Sequence, residues 1–123
     1  MFNSERPARK PSVRACLGAL LASASIALSA YAAHGVSGPL AQQHLNMAAL
    51  YAFAHGAVLA ALGPRAQGAI GHLALYVLLL GVLLFSGSLL GGALWQWPTR
   101  LAPVGGTTLM AGWVLLSINA LRR

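Results

Sequence analysis

Four long stretches of this chain carry no Lys, Arg, Asp or Glu: Ala15–Ala33, Leu45–Leu62, Ile70–Leu90 and Ala102–Leu121. A backbone crossing hydrocarbon must satisfy its own hydrogen bonds, so an apolar run of about 20 residues spans the bilayer as a helix. This narrows the fold before any motif is read. The chain is expected to be all-α, a four-span transmembrane helical bundle with up-down topology. Composition agrees: only 7% of residues are charged, against about a quarter in a soluble domain. Breakers fall where helices should stop and start. Gly63-Pro64 closes the second run, Gly38-Pro39 offers proline to the first helical position, and Pro103 does the same for the fourth run.

The chain divides into a basic tail (1–14), a membrane domain (15–121) and a short basic end (122–123). The spans are placed at about 15–33, 43–62, 70–90 and 102–121. A formal net charge of +7 suggests nucleic acid, but its distribution argues otherwise. With the N-terminus in the cytoplasm, Arg6, Arg9, Lys10 and Arg14 lie inside, as do Arg65, Arg122 and Arg123, leaving Arg100 alone outside. That is the asymmetry of the positive-inside rule, and it places both termini in the cytoplasm. The tail is positioned to meet anionic headgroups. The first run has a signal-peptide flavour, with small Ala30 and Ala32 behind a basic leader. Its length exceeds a typical h-region, so it is read as a retained span. Cys16 makes no lipoprotein site beside Arg14, and a single cysteine excludes an intramolecular disulfide.

Polar residues inside spans are the candidates for function: His34, His44, Tyr51, His55, His72, Tyr76, Ser86 and Ser88. His44, Met47, Tyr51, His55 and Val58 share one helical face, and His72, Tyr76, Leu83 and Ser86 form a second stripe. Such stripes should face the bundle, because imidazole and phenol are unwelcome against acyl chains. His55 lies about 10 Å from the inner end of its helix and is expected to donate a hydrogen bond to a neighbouring helix. His44 and His55 are about 16 Å apart along one helix and cannot bind the same ion. His34 with His44, or His55 with His72, would need cooperative packing to meet. No HxxxH, cysteine pair or intramembrane carboxylate supports either pairing, so neither metal nor cofactor is expected. Glu5 is the sole carboxylate; paired-carboxylate chemistry and an acid-bearing triad are therefore out, and an enzyme is not expected.

Small residues carry a second signal. Gly18, Ala22, Ser25 and Ser29 form one face of the first helix. "FSGSLLGG" (Phe85–Gly92) contains Gly87-xxx-Gly91 and Ser88-xxx-Gly92, and the fourth span holds Gly105, Gly106 and Gly112. Such spacing lets backbones approach closely where lipid supplies no hydrophobic drive. Trp113 reads as a packing piece beside Gly112, while Trp95 and Trp97 read as interfacial anchors.

These motifs occur in a recognisable order: "AAHG" (Ala32–Gly35), Tyr51 three residues before "AHG" (Ala54–Gly56), "LLFSGSLL" (Leu83–Leu90), "PVGG" (Pro103–Gly106) and "GW" (Gly112-Trp113). The pattern resembles the small bacterial inner-membrane family catalogued as domain of unknown function 423, to which animal mitochondrial transmembrane protein 256 is related. The resemblance runs from about Leu17 to Leu116. "LSAYAAHG" stands where the family has "GAFGAHG", so Ser29 and Tyr31 depart from it. Leu90 replaces the usual tyrosine after "FSGSL", and Ala102 the threonine before "P-GG". The resemblance implies a multi-pass protein of the bacterial plasma (inner) membrane, with no activity attached.

Two functional classes remain open at this level. One is a non-catalytic structural or accessory component whose partners are the bilayer, another membrane protein or further copies of itself, and not nucleic acid. The other is a small transporter or channel using the His/Tyr stripes.

Overall fold

The computed structural model describes residues 10–122. Four α-helices follow one another: α1 (Val13–His34), α2 (Pro39–Leu62), α3 (Gly68–Trp95) and α4 (Leu101–Leu121), with one 3-10 turn, Gly63–Arg65, after α2. All four are long and apolar enough to cross a membrane. Each encloses one of the apolar runs and extends past it.

The ends follow local chemistry. Ser12 caps α1 by accepting the Ala15 N–H at 3.1 Å, which starts the helix one residue before Arg14 and draws that cation out of the tail. Pro39 opens α2 in its first turn. The α3 helix does not stop at Leu90 but runs on through Gly91 and Gly92 to Trp95. It ends when Gln96 takes a left-handed conformation (φ 58°) and the Trp97 N–H returns to the Gly91 carbonyl at 3.2 Å, so a left-handed residue closes the helix. Trp95 and Trp97 then stack at this end, ring centroids 5.1 Å apart.

Helix packing rests on glycine-to-backbone contact. Between α1 and α2, a Cβ on Gly18 would stand 2.6 Å from the Gly56 carbonyl oxygen, and one on Gly56 would stand 2.6 Å from the Gly18 oxygen. The two backbones therefore touch, with Ala22 beside Gly56. Between α3 and α4 the same device recurs. A Cβ on Gly105 would collide with the Phe85 backbone, one on Gly81 would meet Leu109, and one on Gly112 would meet Leu78. Gly106 is looser, its nearest neighbour being the Phe85 ring at 3.9 Å. Large side chains fill the remainder, with Leu59, Leu75, Leu78, Val82 and Leu109 forming the core. The result is two intimate pairs, α1/α2 and α3/α4, joined through α2 and α3.

One expectation needs correcting. Gly87 is exposed, and a Cβ there would meet nothing within 4 Å. Its small-xxx-small partner Gly91 is buried, but against the Trp97 ring rather than a neighbouring helix. The α3 residues that approach α4 are Gly81 and Phe85, so the contact stripe lies on a different face from the one the GxxxG spacing suggested.

Candidate functional site

Two polar clusters stand out. The first lies at mid-depth between α2, α3 and α4. His55 is 5% exposed, and both ring nitrogens are engaged. Trp113 Nε1 lies 3.0 Å from Nε2, and the Tyr51 carbonyl oxygen lies 2.8 Å from Nδ1. An indole N–H only donates, so Nε2 accepts and Nδ1 carries the proton that goes to Tyr51. The imidazole in this arrangement is neutral. Aromatic faces enclose it: Tyr51 stacks at a centroid distance of 6.0 Å, and Trp113 meets it edge-on at 5.8 Å. Tyr51 in turn packs on Phe85 at 4.6 Å. Beside the cluster runs an open groove of about 510 Å³, lined by Tyr51, His55, Phe85, Met110 and Trp113 among others.

Elsewhere in the spans, buried hydroxyls also bond to backbone. Ser86 donates to the Ala48 carbonyl at 2.8 Å, tying α3 to α2, and Ser25 donates to Ala22 within α1 at 2.6 Å. The Ser88 hydroxyl is buried without a partner among the described residues.

The second cluster lies at the end of the molecule where α1 begins. Arg14 is 9% exposed. Its Nη2 donates to the Gly63 carbonyl at 3.1 Å, and its guanidinium lies over the Tyr76 ring, 5.0 Å from the centroid. It thus links α1, the 3-10 turn and α3. The contact is possible because Gly63 is flush against α1: a Cβ there would stand 2.9 Å from the Ala15 nitrogen. The Nη1 atom is buried and has no hydrogen-bond partner among the described residues.

Among known proteins, the profile of the DUF423 family, proteins of unknown function, matches residues 28–106. The chain belongs to this family. A UPF0382 membrane protein of Staphylococcus haemolyticus is 34% identical over 113 residues, covering 86% of this chain and 93% of that protein. A second, from Staphylococcus epidermidis, is 32% identical with the same coverage. A third, from Staphylococcus aureus, is 30% identical over 109 residues. No solved structure matches the chain significantly. These relatives and the four apolar helices make this DUF423 protein a multi-pass membrane protein of bacterial kind.

The fold disperses the residues that the sequence singled out. His34 is exposed at the last turn of α1, while His44 is half-buried in α2, close to Gly92 of α3. His55 and His72 are not brought together: His55 lines the mid-depth groove, and His72 lines a cavity beside Arg14. The second stripe does not face the bundle as a unit. Ser86 is buried, but His72, Tyr76 and Leu83 are exposed. The cause is that α3 turns Gly71, Ala74, Leu75, Leu78 and Val82 inward, which carries Tyr76 and Leu83 to the outside. Among the described residues, no three His, Cys, Asp or Glu side chains gather as a metal site requires.

Two functional side chains were missed, both outside the segment that the family profile matches. Trp113 is not a buried space-filler but a half-exposed donor to His55. The signal was depth: His55 and Trp113 lie seven and eight residues before the C-terminal ends of their helices, so each stands about 10–12 Å along its helix from that end. Arg14 belongs not to the tail, where its charge alone puts it, but to the first turn of α1, and Ser12 as N-cap is the signal for that.

Proposed function

We propose that this DUF423 protein is a non-catalytic accessory component of the bacterial plasma membrane, with both termini cytoplasmic. The observation that carries this reading is the closure of the mid-depth cluster. A proton or solute path needs polar groups that are free to exchange partners and that continue from one surface to the other. Here His55 has both nitrogens committed, to Tyr51 and to Trp113. The other histidines stand apart from it near the helix ends, and the core is packed with Leu59, Leu75, Leu78 and Val82. The polar atoms hold helices together; α2 is tied to α4 through His55 and to α3 through Ser86.

Catalysis is unsupported for a chemical reason. The spans carry no acid, and the single carboxylate, Glu5, lies outside the described residues. An accessory protein has a partner. Purification of the tagged chain in a mild detergent, followed by cross-linking, is expected to yield a fixed stoichiometry with a second membrane protein or with itself. Recovery of the chain only as an uncross-linked monomer would contradict the reading.

A further inference from the structure

We propose that the cavity at the start of α1 is an oxyanion site with the chemistry of a phosphate group, and that Arg14 is its principal ligand. The cavity measures about 430 Å³ and is lined by Lys10, Ser12, Arg14, Gly63, His72 and Tyr76 among others. Its location comes first. It sits at the end of the molecule where α1 begins and where the chain returns after α2, a boundary at which hydrocarbon gives way to headgroups.

The charge balance comes next. Arg14 is nine-tenths buried, and a buried guanidinium is costly unless it is paired and its donors are filled. One amino group bonds to the Gly63 carbonyl, a neutral acceptor, and the Tyr76 ring covers the guanidinium face. The Nη1 donor has no acceptor among the described residues. Among the described residues that line it none is acidic; Lys10 adds a second cation and His72 an imidazole. The described wall thus offers Arg14 no counter-charge, and an entering anion would supply it.

A tetrahedral oxyanion suits what remains. Arginine presents planar donors that match phosphate, and the first turn of α1 adds backbone N–H groups and the positive end of the helix dipole. Tyr76 holds the guanidinium plane, so the ligand meets a positioned donor rather than a flexible one. Two sources share this chemistry: the phosphodiester of an anionic lipid, and free phosphate.

The test uses the full-length protein in neutral detergent. Its unfolding temperature is followed while phosphatidylglycerol, phosphatidylcholine or inorganic phosphate is added at constant ionic strength. The expected result is a rise with phosphatidylglycerol at an apparent affinity at least about tenfold above that for phosphatidylcholine, or a rise with inorganic phosphate against matched chloride. Hydrogen bonds to charged groups are the stronger class, and tenfold corresponds to about 1.4 kcal/mol. A response to the lipid alone identifies a headgroup site, and a response to phosphate identifies a soluble-anion site; either supports the proposal. Arg14→Gln should remove the response, while Arg65→Gln, outside the cavity, should keep it. Should Arg14→Gln fail to fold, Arg14→Lys and Lys10→Gln serve instead, each expected to weaken the response. No response to either probe overturns the proposal, as does equal sensitivity to Arg65→Gln or indifference to both substitute variants. Glu5→Gln should change nothing. A response seen only in that variant would mean that the chain's own carboxylate fills the site, which also overturns it.

Discussion

His55 illustrates how one side chain can be polar, buried and still structural. A histidine in hydrocarbon must find partners for two nitrogens with opposite needs. Here the Tyr51 carbonyl takes the Nδ1 proton and Trp113 supplies the hydrogen that Nε2 lacks. The expected donation to a neighbouring helix runs the other way: His55 donates within α2 and accepts across to α4. The bond is modest, because interhelical hydrogen bonds in membranes average about 0.6 kcal/mol and reach about 1.7. A double-mutant cycle with His55→Leu and Trp113→Phe, read by unfolding in detergent, should give a coupling in that range. Simple additivity would show that the pair contributes nothing. His55→Gln should retain part of the coupling, since an amide oxygen still accepts from the indole.

At the scale of helices, contact between backbones decides stability. Gly18 and Gly56 seat α1 on α2, and Gly81, Gly105 and Gly112 seat α4 on α3. Gly18→Leu or Gly105→Leu should therefore lower the unfolding temperature sharply, by about 1–3 kcal/mol of overpacking at the least. Gly87→Leu should be tolerated within about 0.5 kcal/mol, and its better helix propensity offsets part of any loss. Equal destabilisation by Gly87→Leu and Gly18→Leu would contradict this assignment of faces. The helices themselves were legible, because uncharged apolar runs, prolines and glycines mark spans directly. Their facing was less so. Apart from His72 and Tyr76, every residue of α3 is apolar or small, and a helix that is apolar nearly all round gives periodicity little to resolve. Glycine spacing alone selected Gly87, when the helix actually turns Gly81 to its neighbour. Trp113 and Arg14 stayed hidden for another reason. Their roles depend on a partner from a distant helix or turn, and only matching depths and a cap residue announce them.

For the whole molecule, the arrangement is two glycine-seated helix pairs joined by α2 and α3, with polar groups spent on cross-links at mid-depth. His44 beside Gly92, His55 at the mid-depth groove and His72 in the cavity beside Arg14 stand in separate places rather than strung into a relay. On the proposed function His55 is a strut, and the bundle does not conduct protons through it. The most direct measurement pairs proton flux with stability in the same proteoliposomes, comparing wild type with His55→Leu. Under a pH gradient, wild-type liposomes should be no leakier than protein-free ones, and His55→Leu should lower the unfolding temperature without changing the flux. A wild-type flux that His55→Leu abolishes, with the unfolding temperature unmoved, would contradict the account.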